Sequence, residues 1–251
     1  MKELIKILHK FDDERRKRYG NNWNEAAVAE CFKPCAEGIF GGYFNIVSKD
    51  REYILDIGSI ELYYHEEEGL IKDPVMYHTN DNGSYSKYYN KEKGLSYFTF
   101  GSFNLHTSGV DVTFECPKNK YRASFLIRSY RVLDSIDQLN DDSIDYDTCS
   151  THIFDDMFPL GISLGSDAFK IEWKEKGKVR DYEQCKRVNV AEYMKDKDGR
   201  YIKENGNYIK EELVDFQDPK DIDKNQYFKS GNHYYKKESR LWGFQIIKKG
   251  I

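Results

Sequence analysis

Three polar side chains stand inside or beside apolar stretches, where an ionised group is costly unless it is paired or used. Glu61 lies in GSIELYYHE between Ile60 and Leu62, Arg128 follows Phe125, Leu126 and Ile127 in ASFLIRSY, and His78 sits in VMYHTN just before an Asn-Asp-Asn-Gly cluster. Glu61 and Arg128 are therefore expected to face outward, to form a structural ion pair, or to line a cleft. Together the three supply an acid, a base and an imidazole, as the carboxylate, guanidinium and ring of the three side chains. His106 in NLHTSG is close in sequence to Asp111 and is a candidate for the same cleft, whereas His65 in HEEEG reads as part of a solvated turn. A metal-dependent hydrolase using His65, His78 and His106 is a further class, but their spacing matches no metal signature.

The elements that must position these groups change character along the chain. Leu4, Ile5, Ile7 and Leu8 recur near helical spacing, and Trp23 with Ala26, Ala27, Val28 and Ala29 continues the helical reading to about Cys31. Pro34 and Gly41-Gly42 then punctuate the chain. From Tyr43 onward, short runs rich in Ile, Val, Tyr and Phe alternate with Gly, Pro, Asn and Asp clusters, which predicts a mostly antiparallel central sheet over 40–135. In GVDVTFE the period of two puts Val110, Val112 and Phe114 on a core face, and Asp111, Thr113 and Glu115 on a face that meets water, a ligand or a cleft. The stretch 173–226 is Lys-rich and carries an echo, DGRYIKE followed by NGNYIKE, that reads as a hairpin or insertion. The closing HYYKKESRLWGFQIIKK reads as a final strand returning to the sheet. The expected class is α+β, a single domain over 1–251 with a curved, mostly antiparallel sheet flanked by helices.

Composition bounds the partners. The 251 residues hold 39 Lys+Arg against 43 Asp+Glu, for a net charge of -4, so any nucleic-acid contact must come from a local patch. Candidates are Lys118, Lys120 and Arg122 beside the sheet, and Arg15, Arg16, Lys17 and Arg18 on the first helix. No stretch approaches the roughly 18 to 20 uncharged apolar residues of a membrane span. The charged start MKELIKILHKFDDERRKRYG is unlike an apolar signal core, so a cytoplasmic protein with no membrane partner is expected. With 15% aromatic residues, including 20 Tyr and 15 Phe, the core can be built largely from rings. Five cysteines form an odd, scattered set, which favours reduced thiols, and CFKPC has three intervening residues where a redox motif has two. Neither a cofactor nor a metal is expected.

The order of segments ILDIGSIELYY, DPVMYH, YFTFGSFNLHTSGVDVTF and RASFLIRSYRVLD resembles the central part of the alkyladenine (3-methyladenine) DNA glycosylase family, and SRLWGF is similar to that family's final strand. The match covers about residues 50–135 and the last dozen. Glu61 and Tyr63 correspond to the family's Glu-x-Tyr element, His78 to its loop His, and Arg128 to its Arg motif. The resemblance implies a glycosylase-like fold and hydrolysis of the N-glycosidic bond of a damaged base in DNA, as in base-excision repair. It implies Glu61 as the general base that orients water, Tyr63 and His78 as pocket walls, and Arg128 as the group orienting Glu61 or a phosphate. Leu105 and His106 would supply a smaller, less aromatic wall. The sequence departs from the family where stacking rings are expected, at Leu105 and Ser108, and places Glu115 near the family's Asn. Those departures define the alternative, a non-catalytic nucleotide- or protein-binding protein on the same fold.

Overall fold

The computed structural model describes residues 1–20, 22–48, 51–76, 89–90, 94–95, 97–148, 151–158, 169–213 and 223–247. The N-terminal helical reading resolves into two helices, α1 (Lys2–Arg18) and α2 (Glu25–Phe40). Asn24 caps the second by accepting a hydrogen bond from the Ala27 N–H at 2.9 Å. α1 buries Leu4, Ile7, Leu8 and Phe11, the three-and-four spacing of one helix face. α2 runs past Cys31 and through Pro34 to Phe40, contrary to the expectation that Pro34 interrupts the chain. A proline inside a helix costs about 3 kcal/mol. Burial of Phe32, Cys35, Ala36, Ile39 and Phe40 on either side offsets that cost.

The strands are β1 (Gly42–Ser48), β2 (Arg51–Glu66), the minimal pair β3 (Tyr89–Asn90) and β4 (Gly94–Leu95), β5 (Phe103–His106), β6 (Gly109–Thr113) and β7 (Tyr121–Leu133). After the short helix α3 (His152–Met157) come β8 (Lys170–Glu175), β9 (Tyr182–Cys185), β10 (Lys203–Glu204), β11 (Asn207–Tyr208), β12 (Tyr227–Ser230), β13 (His233–Lys236) and β14 (Gly243–Ile246). The main sheet has the order β5-β6-β7-β2-β1-β8, with β14 also paired to β2 and carrying β9 on its far side. Every pairing in it is antiparallel. The α+β expectation therefore holds. No helix among the described residues is long and apolar enough to cross a membrane.

β2 organises the sheet. Its core residues are Tyr53, Leu55 and Ile57 before Gly58, but Ile60, Leu62 and Tyr64 after it. A strict period of two would turn the second set to the wrong face. The sheet absorbs the change of phase in an irregularity: the β2–β7 register runs Ile57↔Tyr130, Ser59↔Ser129, Ile60↔Ile127, which skips Gly58 on one strand and Arg128 on the other. One face of the corrected sheet packs against α1 and α2 through rings, among them Phe11, Phe32, Phe114 and Phe244, with Phe32 and Phe114 stacked at 5.8 Å.

The polar segment expected as one insertion over 173–226 divides. β8 and β9 belong to the main sheet, and residues 190–213 fold with β13 into a small roll. Its backbone closes two triangles of hydrogen bonds. Met194 donates to Ile209, Ile209 to Ile202 and Ile202 back to Met194, while Glu192 donates to Lys236, Lys236 to Glu211 and Glu211 back to Glu192. The sequence echo lies at the centre: Tyr201 and Tyr208 hold the same place in the two copies, and their rings meet at 5.8 Å. Asn205 and Gly206 both have positive φ, 51° and 84°, the backbone of a tight hairpin turn. The closing segment is likewise two strands, of which β14 alone returns to the sheet, beside β2.

Candidate functional site

The sheet face turned away from α1 and α2 is lined with ion pairs between β2 and β7. Asp56 accepts from Arg131 Nε at 2.9 Å and also pairs with Lys176. Glu61 accepts from Arg128 Nη2 at 2.6 Å. Farther along, Arg122 donates to Glu115 at 3.2 Å and to Glu67 at 2.8 Å. Of the alternatives for this face of GVDVTFE, which were water, a ligand or a cleft, open water is removed: Asp111, Thr113 and Glu115 are all buried. Charged groups can be buried there because the neighbouring strand supplies the opposite sign.

Glu61 accepts three hydrogen bonds from three different parts of the chain. Oε2 accepts from Arg128 and from the Tyr63 hydroxyl at 2.9 Å, and Oε1 accepts the Val188 backbone N–H at 2.5 Å. Glu61 and Tyr63 share a face because they are two residues apart on a strand. Arg128 reaches Glu61 because the register irregularity re-aims it. Burial, then the Glu61 carboxylate, pushes the Tyr63 phenol well above its usual range, so it remains a hydrogen-bond donor.

Val188 is fixed by its neighbour. Arg187 is fully buried and donates to Asp73 at 2.7 and 3.1 Å, to Glu238 at 2.7 and 2.9 Å and to the Leu62 carbonyl at 3.2 Å, which occupies all five guanidinium N–H groups. Burial would raise Asp73, but Arg187 and Arg240 outweigh it and hold that carboxyl below its ordinary value. The guanidinium also lies over Tyr63, 4.5 Å from the ring centroid. Sequence reasoning did not find this cluster, because Asp73, Arg187 and Glu238 lie far apart along the chain in polar surroundings.

A row of registered residues crosses the same face from Asn104 through Asp111, Leu126, Glu61 and Gly243 to Cys185. Cys185 is driven up to about 11 by burial and then by Glu61. At the other end His106 Nε2 lies 3.0 Å from Asp111 Oδ2, so His106 and Asp111 do come together. Leu105 does not join them. It registers with Val110, a core residue, and alternation turns it to the opposite face, half-exposed at the sheet edge. His78 lies outside the described residues.

One surface cleft, of about 290 Å³ at Leu139, Lys176 and Arg180, adjoins the Asp56–Arg131 end of this face, and another of about 330 Å³ lies at Glu25, Arg240 and Trp242. The expected basic patch also changes. Arg122 and Arg15 are buried, Arg15 against Tyr64 and Glu66, while Arg16, Lys17 and Lys120 pair with acids at the surface. His65 is not in a solvated turn. It lies on β2 with Nδ1 accepting the Asp73 N–H at 3.1 Å, and burial followed by Lys72 lowers it to about 4. Cys31 and Cys35 occupy one buried face of α2, with burial raising their thiols to about 11 and about 12. Among the described residues no group of three or more His, Cys, Asp or Glu side chains is placed to hold a metal ion. Comparison with family models, with curated proteins and with solved structures finds no match to this chain.

Proposed function

We propose that this protein hydrolyses the N-glycosidic bond of a damaged base in DNA, in the manner of a 3-methyladenine DNA glycosylase, with Glu61 as the general base. The observation that supports the reading is how Glu61 is held. Arg128 and Tyr63 occupy Oε2, and Val188 takes one acceptor position of Oε1. A carboxylate has about four such positions, so one on Oε1 is left to hold a water. That water attacks the anomeric carbon while its proton passes to Glu61. The C–N bond breaks with its electron pair leaving on the base as the oxocarbenium-like charge develops on the sugar and is taken up by the attacking water. Arg128 and Tyr63 are positioning residues in this scheme.

A second reading is favoured by one specific observation: the Glu61–Arg128 pair is one of three acid–arginine pairs made by β7, with Asp56–Arg131 on the same two strands and Arg122–Glu115 beside them. A purely structural ladder would contain the same pair, and the protein would then bind a nucleotide or a protein without catalysis. Base release from methylated duplex DNA separates the two. Release by the wild type that is lost in Glu61→Gln supports the hydrolase. Absence of release from any alkylated or deaminated duplex, with binding retained, leaves the second reading.

A further inference from the structure

The cleft of about 290 Å³ beside Asp56 joins two unlike surfaces. Ile136, Val179 and Ile247 line it, each about half exposed, and they are three of the nine large hydrophobic side chains that stand exposed among the described residues. Scattered singly, such groups are ordinary surface, but gathered around one hollow they mark a place of contact. The volume is at the small end of the roughly 300–1,000 Å³ of small-molecule sites, so the ligand that fits is a small one.

The rest of the lining is charged, and its cations outnumber its acids. Lys176, Lys178 and Arg180 line the cleft together with Asp142 and Asp181, which leaves one positive charge over. Beneath them Asp56 and Arg131 answer each other at 2.9 Å, so the floor does not remove that surplus. Some donor capacity is already taken: Lys176 donates to Asp56 and to the Phe40 carbonyl at 3.3 Å, and Arg180 donates to the Tyr146 hydroxyl and to Asp142 at 2.5 Å. Arg180 Nε–H has no partner of this kind, and the Lys178 ammonium has no acid partner among the described residues. Both groups are within reach of a ligand, since Lys178 is exposed and Arg180 keeps 18% of its side chain in solvent. Burial, which Asp56 only partly offsets, holds the Lys176 ammonium below its ordinary value, as for a cation short of counter-charge.

We propose that this cleft binds a small organic monocarboxylate with an aliphatic body, its carboxylate at Lys178 and Arg180 and its chain along Ile136, Val179 and Ile247. A guanidinium and an ammonium give a carboxylate charge-assisted hydrogen bonds, the stronger class of such contacts. A single negative charge matches the surplus, because a dianion such as a phosphate monoester would meet Asp142 and Asp181 with no further cation to answer it. The site uses none of the chemistry proposed for Glu61 and does not depend on it.

The test is calorimetric titration of the full chain with three probes: hexanoate, hexanamide, which keeps the body and removes the charge, and acetate, which keeps the charge and removes most of the body. A charge-assisted hydrogen bond corresponds to a preference of about 10-fold or more for hexanoate over hexanamide. Each buried CH₂ corresponds to about 4-fold, so hexanoate is expected to exceed acetate by about 10-fold or more. Val179→Asp puts a carboxylate into the apolar wall and is expected to weaken hexanoate by about 10-fold or more, whereas Leu241→Asp, at the Trp242 cleft, leaves it unchanged. Both side chains are about half exposed, so neither substitution enters the core. Equal affinities for hexanoate and hexanamide, no binding of hexanoate at about 10 mM, or the same affinity for hexanoate in the two variants overturns the proposal.

Discussion

Arg128 meets Glu61 at 2.6 Å although the two are not opposite each other in the β2–β7 register, where Leu126 faces Glu61 and Arg128 is skipped. The irregularity that keeps the apolar residues of both strands on the core face is thus the feature that turns the guanidinium onto the carboxylate. In Glu61→Gln the amide nitrogen accepts no hydrogen bond, so it faces either the donors Arg128 and Tyr63 or the Val188 N–H without a partner. Unfolding in urea is expected to show a loss of about 1–3 kcal/mol. Base release, measured on the folded fraction, should fall by about 10² to 10⁴. Unchanged release would remove Glu61 from the chemistry.

Arg187 is expected to matter more for stability than any surface arginine. Arg187→Met leaves Asp73 and Glu238, both buried, with Arg240 as their remaining cation in the cluster. Breaking a buried pair in this way costs about 3–5 kcal/mol. Arg51, paired with Asp134 at the surface, serves as the control, and its replacement should change the urea midpoint little. Equal midpoints for the two variants would contradict the burial argument.

Gly58 is constrained by Tyr146, since a Cβ there would stand 2.3 Å from Cδ1 of that ring. Tyr146 cannot move freely because it bonds Asp56 and Arg180. Gly58→Ala should destabilise by about 1–3 kcal/mol through overpacking. The cost should shrink in a Tyr146→Ala background, a coupling that a double-mutant cycle measures. Additive effects would mean that the glycine is needed only for its backbone.

His65 gives the stability a pH dependence with a defined sign. Burial, then Lys72, lowers it from 6.5 to about 4 in the fold, so between those values the unfolded chain binds the additional proton. Its contribution is complete above about pH 6.5 and is lost as the pH falls toward 4, amounting to about 3 kcal/mol in all. Thermal unfolding followed from pH 7 to 4.5 should show the decline, and His65→Gln should flatten it. A decline of the same size in both proteins would assign it to the carboxylates.

Spacing along the chain accounts for what depends on neighbours a few residues away. The face of α1 follows from Leu4, Ile7, Leu8 and Phe11, and the shared face of Glu61 and Tyr63 follows from the period of a strand. Ile57 and Ile60 flanking Gly58 also mark, in the chain itself, the place where the alternation changes phase. Which polar groups meet depends on the assembled fold. Pro34 survives inside α2 because the side chains around it are buried, which local propensity cannot register. Val188 reaches Glu61 from 127 residues away, and Arg187 joins Asp73 to Glu238 across separations of 114 and 51. Such pairs leave no local pattern. Each ion is stable in the interior only when its partner is desolvated beside it, and that requires the sheet to have closed in one register.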